Sequence, residues 1–290
     1  MRSARSIISE TMSGKLYLCA TPIGNLEDIT FRAVKVLESV DLIAAEDTRH
    51  TRKLLNHYEI KAKLTSYHEH NKFEKADELV AKMLAGETVA LVTDAGTPGI
   101  SDPGEELVKK CYEAGIEVTS LPGASAVVVA LSMCGLSSRR FVFEGFLPAE
   151  RKERKEALAR LENETRTIVL YEAPHHVLAT LRELEQLLGA RQIRILRELT
   201  KIHESVLPLT IPEAVHYFEE TEPKGEMVLV IEGKDPKEVL EESRKEWGTI
   251  SLQEHVQRYM SQGLSEKDAM KQVAKDRGIS KRDVYDEVKK

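Results

Sequence analysis

A short apolar segment that runs straight into a loop rich in glycine and proline constrains the fold of this chain more than any other feature. Residues 88–92 have the β-branched composition of a strand buried on both faces. The loop over residues 94–104 holds three glycines and two prolines, and residues 105–111 follow with a helical pattern whose first turn is acidic. Units of this kind build parallel sheets that bind ligands at the carboxyl ends of the strands. The segment therefore predicts an α/β fold with Asp94 at a ligand site, although glycines that serve a tight turn alone are the alternative.

The same alternation of strand, turn and helix predicts two α/β domains. Apolar strand patterns precede the segment over residues 88–92 and follow it, with helical patterns between them, at residues 16–20, 42–45, 64–67 and 117–121. After residue 123 the alternation is less regular, and an antiparallel sheet is one option there. From Asp235 onward the pattern predicts helices only. We expect a flexible leader over 1–13, an N-terminal α/β domain over 14–122, a second α/β domain over 123–234 and a small helical subdomain over 235–290.

Serines mark the helix starts in the predicted helical subdomain. Ser251, Ser265 and Ser280 each stand where a helical pattern begins, as expected of N-cap residues. The turn at 278–282, followed by a helix, resembles a helix-turn-helix element. A DNA-recognition helix is one interpretation. We favour a small packing or RNA-contacting subdomain, because Asp283 and other acidic residues share that last helix.

Composition excludes several classes of protein. Of the 290 residues, 41% are hydrophobic and 31% charged, the balance of an ordinary globular protein. The formal net charge of -6 argues against bulk electrostatic binding of nucleic acid, while a local basic patch remains compatible with it. No apolar run approaches the ~20 residues of a membrane helix, and residues 1–15 lack the apolar core of a secretory signal.

The cysteines point to a reducing compartment. Cys19, Cys111 and Cys134 are widely spaced in apolar segments, which predicts buried, reduced thiols in a cytoplasmic protein. No Cys/His cluster has the spacing of a metal site, so no metal is predicted.

Four glycine- or proline-containing turns follow predicted strands, and we expect them to converge on one ligand site. None of them matches the glycine fingerprints of dinucleotide or P-loop nucleotide sites, which disfavours those ligands. The turns are residues 21–25, 94–104, 122–125 and 171–174.

The segment Glu46-Asp47-Thr48-Arg49 is the most polar strand end in the chain. As chemistry, it offers a carboxylate that can accept a proton and an arginine that can hold a phosphate. As structure, it is a capped helix start, with Thr48 as the expected N-cap. The two interpretations carry equal weight from the segment alone. His68 and His70 follow the next strand, where histidines are usually solvated.

Taken together and in this order, several motifs resemble the tetrapyrrole methylase superfamily, whose members use S-adenosylmethionine. Two further motifs resemble one branch of it, the ribosomal RNA small subunit methyltransferase I family, which 2′-O-methylates a cytidine in the decoding centre of 16S rRNA. The match runs from about residue 14 to residue 233, and the helical tail also resembles that family. The superfamily motifs are residues 18–25, 93–99, 121–125 and 225–227, and the branch motifs are residues 44–49 and 170–175.

The resemblance implies two α/β domains with S-adenosylmethionine in the cleft between them, a homodimer, and 16S rRNA as the partner. Because the net charge is acidic, we expect the small ribosomal subunit rather than naked RNA to be the substrate. By motif match, the cofactor pocket is expected to be lined by Pro22, Asp94, Ala95, Gly96, Ile100, Ala124, Ser125 and Tyr171.

A ribose 2′-hydroxyl is a poor nucleophile, so the reaction needs a group that takes its proton. We expect Glu46 or Asp47 to do this, with Arg49 and Arg52 holding neighbouring phosphates. Four more cations are candidate contacts to the RNA backbone, with a solvated charged helix as the simpler interpretation; they are Arg139, Arg140, Arg151 and Lys152.

Three rival functions fit parts of the sequence. A relative that methylates a tetrapyrrole or a modified protein histidine would share the cofactor turns without needing the helical tail. A non-catalytic RNA- or DNA-binding protein would not need the intact loop at 94–104. A nicotinamide oxidoreductase lacks its glycine fingerprint here.

Overall fold

The computed structural model describes residues 14–289, so the predicted leader over 1–13 lies outside the described residues. Strands and helices alternate as far as Ile231, except for two consecutive strands over 192–197 and 205–210, and helices alone follow. The strands are β1 Lys15–Cys19, β2 Leu42–Ala45, β3 Leu64–Ser66, β4 Val89–Val92, β5 Glu117–Leu121, β6 Phe141–Phe146, β7 Thr167–Glu172, β8 Gln192–Arg197, β9 Ser205–Thr210 and β10 Met227–Ile231. The helices are α1 Phe31–Ser39, α2 Thr48–His57, α3 Lys72–Leu84, α4 Gly104–Glu113, α5 Ala126–Met133, α6 Arg151–Leu161, α7 Val177–Leu188, α8 Ile211–Glu220, α9 Pro236–Gly248, α10 Leu252–Ser261, α11 Glu266–Arg277 and α12 Lys281–Val288.

The first sheet is parallel throughout and has the order β3-β2-β4-β1-β5. Strands β2 and β4 are buried on both faces, as the β-branched run at β4 predicted, because helices cross on each side of the sheet. All five strands point the same way, so their carboxyl ends share one edge. The turns after β1, β2, β3 and β4 therefore lie side by side there.

The second sheet is mixed, with the order β6-β7-β10-β8-β9. Strand β6 runs parallel to β7, whereas β10 is antiparallel to both of its neighbours and β8 is antiparallel to β9. The α/β class is confirmed, and the less regular alternation after residue 123 does correspond to a largely antiparallel sheet. The pairing of β6 with β7 has a register shift between Phe143 and Gly145, and Gly145 lies close to Ser101 in the loop after β4.

One helix start differs from the sequence-based prediction. Helix α2 is capped by Asp47, whose Oδ1 accepts a hydrogen bond from the backbone N–H of Arg49 at 2.8 Å. The prediction that Thr48 is the N-cap was therefore wrong, because the carboxylate one residue earlier is in reach and caps at least as well. Helix α5 begins at Ala126, directly after Ser125, whose backbone is extended with φ of -149°.

The last four helices pack mainly on one another around a small apolar core. Ser251, Ser265 and Ser280 each accept a hydrogen bond from a backbone N–H three residues later, so the predicted serine caps are confirmed. The turn between α11 and α12 begins with Gly278 in the left-handed conformation. The core of this bundle consists of Val256, Ala269, Met270, Val273, Ala274 and Val284.

Within residues 14–289, no helix is both long and apolar enough to cross a membrane. The domain boundaries at 122/123 and 234/235 stay predictions.

Candidate active site

A cavity of about 310 Å³ lies where the loops of the first sheet meet the end of β7 in the second. That volume is at the lower end of the range for small-molecule sites. All four turns that the sequence predicted to converge contribute to its wall. The lining residues are Ile23, Ala95, Gly96, Thr97, Ile100, Ser125, Ala126, Phe146, Tyr171, Glu172, Ala173, Pro174, Leu199, Glu226, Met227 and Val228.

Backbone hydrogen bonds tie the turns of the first sheet together. Thr21 and Gly96 form two reciprocal backbone hydrogen bonds, in which the N–H of each donates to the carbonyl oxygen of the other, with N···O distances of 2.9 and 3.0 Å. The hydroxyl of Thr97 donates to the carbonyl oxygen of Ala124 at 2.9 Å. These hydrogen bonds join three separate turns and so hold the cavity wall in place. The donors and acceptors that form them are therefore not required to bind a ligand.

The loop after β4 has a backbone that requires glycine at one position and a carboxylate at another. Gly96 has φ of +88°, which residues with a side chain rarely adopt. Asp102 closes the loop by accepting hydrogen bonds from the backbone N–H groups of Gly99, Ile100 and Gly104, at 2.8 to 3.0 Å. This arrangement explains the glycines and the aspartate of the segment in geometric terms.

The wall from the second sheet is aromatic and acidic. The ring of Tyr171 packs against Phe143 and Phe146, with centroids 4.9 and 5.5 Å away. Burial raises the pKa of Tyr171. Glu172 is buried, and its carboxylate accepts hydrogen bonds from the backbone N–H of Ala173 at 2.8 Å and from the Thr180 hydroxyl.

The charges around the cavity favour a cationic ligand. Among the described residues that line it, Glu172 and Glu226 are the charged ones, and both are carboxylates. Carboxylates and the faces of aromatic rings both stabilise a positive charge that is partly removed from water.

Glu46 follows β2 and lies near Asp94, which follows β4 and precedes the cavity-lining residue Ala95. The backbone N–H of Asp47 donates to Asp94 Oδ1 at 3.0 Å and so joins the two strand ends. Burial, and then the negative charges of Asp94 and Asp102, raise the pKa of Glu46 above its usual range. A carboxylate with a raised pKa is a stronger proton acceptor than an exposed one, so Glu46 is suited to act as a base.

Asp47 and Arg49 have different surroundings. Hydrogen bonds from the backbone and side chain of Arg49 lower the pKa of Asp47, in keeping with its role as helix cap. The Arg49 side chain is 89% exposed and lies 3.4 Å from the Asp47 carboxylate. Its guanidinium is therefore free to turn toward an external phosphate.

His68 is less exposed than the sequence indicated. It follows β3, the strand beside β2, and its charge acts on Glu46. Its Nδ1 atom is buried and has no hydrogen-bond partner among residues 14–289. His70, two residues later, is exposed, as expected.

The cofactor residues predicted by motif fall into two groups. Pro22, Asp94 and Ala124 adjoin the cavity through their chain neighbours without lining it. Sequence reasoning missed the apolar residues Phe146 and Leu199, which are distant in sequence and carry no motif. It also missed Glu172, although the residue directly follows Tyr171. The predicted residues that line the cavity are Ala95, Gly96, Ile100, Ser125 and Tyr171.

In the part of the chain that the structure describes, no group of three or more histidine, cysteine, aspartate or glutamate side chains is placed to hold a metal ion.

The fold and the cavity define a methyltransferase of the tetrapyrrole methylase class. The family of tetrapyrrole (corrin/porphyrin) methylases matches residues 15–215. The fold resembles that of uroporphyrin-III-C-methyltransferase from Thermus thermophilus, with a TM-score of 0.54 and 22% identity over 76% of this chain and 94% of the other. It also resembles diphthine synthase, with a TM-score of 0.59 and 13% identity over 76% and 90% of the two chains. At these identities the likeness concerns the fold alone.

Closer relatives identify the branch. Proteins named ribosomal RNA small subunit methyltransferase I are 47% identical in Halalkalibacterium halodurans, over 98% of both chains, and 50% identical in Synechocystis, over 94% of this chain and 96% of the relative. The Bacillus subtilis protein of that name is 46% identical over 99% and 98% of the two chains. The chain therefore belongs to the ribosomal RNA small subunit methyltransferase I family.

The residues present fit S-adenosylmethionine, the cofactor that the sequence predicted. The cavity combines backbone groups from glycine turns, which suit the polar ends of the molecule, with carboxylates and an aromatic wall, which suit its cationic sulfur.

Proposed function

We propose that this protein uses S-adenosylmethionine to methylate the ribose 2′-hydroxyl of a cytidine in the decoding centre of 16S rRNA. The observation that carries the proposal is the position of Glu46, a half-buried carboxylate of raised pKa, near Asp94, whose chain neighbour Ala95 lines the cavity. The names of the relatives, at 46 to 50% identity, support ribosomal RNA as the substrate. The protein then acts in the cytoplasm on the small ribosomal subunit, as a homodimer.

Bound S-adenosylmethionine supplies an electrophilic methyl group on a positively charged sulfur. The chain holds that cofactor with the turns after β1, β4 and β5 and with the start of the segment after β7. Tyr171 and Glu172 would keep their part of the cavity low in water and rich in negative charge, which suits a cationic cofactor. The proposed binding residues are the predicted ones, Pro22, Asp94, Ala95, Gly96, Ile100, Ala124, Ser125 and Tyr171.

Glu46 would accept the 2′-hydroxyl proton as the ribose oxygen bonds to the methyl carbon and the carbon–sulfur bond breaks, with its electron pair staying on the departing thioether. The transfer then needs neither a metal nor a covalent link to the protein, because positioning and removal of one proton suffice. Asp47 holds the start of α2, and this places Arg49 and Arg52 on an exposed helix face, where their guanidinium groups hold RNA phosphates.

The proposal predicts a pH dependence of the chemical step. Only the deprotonated carboxylate of Glu46 accepts a proton, so the single-turnover rate is expected to rise with pH through the raised pKa of Glu46 and then to level off. Rapid-quench measurements across a pH series check this. The half-maximal rate is expected above the pH range in which an exposed glutamate titrates. A single-turnover rate that stays constant over the whole pH series would contradict the assignment.

The product identifies the reaction. Incubation with labelled S-adenosylmethionine and small ribosomal subunits from cells that lack this modification, followed by digestion to nucleosides, is expected to place the label in 2′-O-methylcytidine. Label in another nucleoside, or transfer only to a tetrapyrrole, would overturn the proposed substrate. Naked 16S rRNA serves as the comparison, and we expect it to be methylated less efficiently than the subunit. Sedimentation of the full chain tests the homodimer.

A further inference from the structure

A second and larger cleft, of about 1370 Å³, lies at the end of the second sheet that is far from the cofactor cavity. Strand β7 joins the two: Thr167 at its start lines the cleft, and Glu172 at its end lines the cavity. Five residues of strand at about 3.3 Å each separate the two sites by roughly 17 Å. The cleft is therefore not part of the cofactor site.

Cationic side chains from several elements line this cleft. Arg139 and Arg140 are exposed just before β6, and their side chains have no ion pair or hydrogen bond with any residue in 14–289. Arg191 is half-buried just before β8, and its Nη1 atom is buried without a hydrogen-bond partner among the described residues. The complete set is Arg139, Arg140, Arg166, Arg191 and Lys234.

Helix α9 places carboxylates near two of these cations, Lys234 and Arg191. Glu238 and Glu242, on successive turns of its first half, line the cleft opposite the arginines. The Nζ atom of Lys234 forms an ion pair with Glu242, and the negative charges of Glu238 and Glu242 act on Arg191. Since α9 packs on α11 in the C-terminal bundle, these charge contacts connect that bundle to residues that flank the second sheet.

The charges of the cleft balance only because of the C-terminal segment. Five cations face five carboxylates, of which Asp235, Glu238 and Glu242 come from α9 and the residue before it. Without those three, the lining would hold five cations and two carboxylates. Carboxylates placed against arginines in this way occupy the positions that a bound phosphate would take.

We propose that this cleft binds the phosphodiester backbone of RNA flanking the methylated nucleotide, and that the carboxylates of α9 occupy the cleft until RNA displaces them. The inference rests on the proposed function, which makes RNA the substrate. An elongated polyanion fits better than a small anion, since the cations are spread over a wide cleft instead of converging on one point. A local site is also needed, because a net charge of -6 gives no general attraction to RNA.

Salt titration of RNA binding tests the inference with variants of opposite expected sign. The probe is a short labelled single-stranded RNA with the sequence around the target cytidine, bound to the full chain. In Arg139→Ala/Arg140→Ala, the slope of log K against log salt is expected to fall by about 1.4, since each single-strand phosphate contact contributes ~0.7. In Glu238→Gln/Glu242→Gln, RNA affinity is expected to rise several-fold at low salt.

A matched control keeps the result specific. Lys61 and Lys63 are exposed just before β3, at the amino end of the first sheet. Lys61→Ala/Lys63→Ala removes the same charge there, and is expected to keep the wild-type slope. An unchanged slope in the arginine variant, an equal fall in the lysine control, or no gain from the glutamate variant would each overturn the inference. Failure of the wild type itself to bind or methylate ribosomal RNA would instead overturn the proposed function.

Discussion

A Glu46→Gln enzyme is expected to transfer methyl groups at least about 100-fold more slowly than the wild type in a single turnover. Glutamine keeps the size of the side chain but cannot accept the 2′-hydroxyl proton, and general-base catalysis contributes about 10²- to 10⁴-fold. Glu46 is half-buried near Asp94 and Asp102, so its replacement also removes charge repulsion there. We therefore expect the variant to fold at least as stably at neutral pH and to bind S-adenosylmethionine about as well as the wild type.

Asp47→Asn is the matched control for this experiment. Asparagine caps helices about as well as aspartate, so α2 and the exposed arginines that follow are expected to keep their positions. The single-turnover rate of Asp47→Asn is then expected to remain within a few-fold of the wild type. The reverse pattern, a slow Asp47 variant beside a nearly normal Glu46 variant, would assign proton transfer to Asp47 and contradict the mechanism.

Gly96→Ala is expected to weaken binding of S-adenosylmethionine by about tenfold or more. A residue with a side chain at φ of +88° is strained by about 1 to 2 kcal/mol. The added Cβ would also lie 3.3 Å from Ile23 Cγ2, another atom of the cavity wall. We expect the loop to move in order to relieve the backbone strain and the close contact with Ile23. This movement would disturb the paired hydrogen bonds with Thr21 that hold the two turns together. Calorimetric titration with the cofactor measures the effect.

Gly115→Ala separates backbone strain from loss of the site. Gly115 has φ of +70°, and a Cβ there would meet no atom within 4 Å. It precedes β5, at the edge of the first sheet opposite the cavity. We expect this variant to unfold at a lower temperature while it binds the cofactor as the wild type does. Equal loss of cofactor affinity in both variants would show that Gly96 acts through general stability alone.

Patterns local in the sequence were sufficient to predict much of the fold. Periodicity and helix capping depend on neighbouring residues, so they can be read from the sequence alone. They predicted the strand β4, the serine caps at Ser251 and Ser280, and the less regular alternation of strands and helices after residue 123. The start of α2 was predicted one residue late because Asp47 and Thr48 are both good caps, and their competition is decided by the backbone that β2 delivers.

The sequence by itself determined the α/β class, the turns that would meet at one edge, and the family. The meeting of the first sheet's turns could be predicted because parallel strands place their carboxyl ends together whatever their order. The order β3-β2-β4-β1-β5 was decided only by the tertiary structure, since it depends on how the helices cross and pack. That order sets Glu46 beside Asp94, and burial there raises its pKa while Asp47 stays solvated. The tertiary structure likewise brought α9 against Arg191, a contact between residues that no local pattern connects.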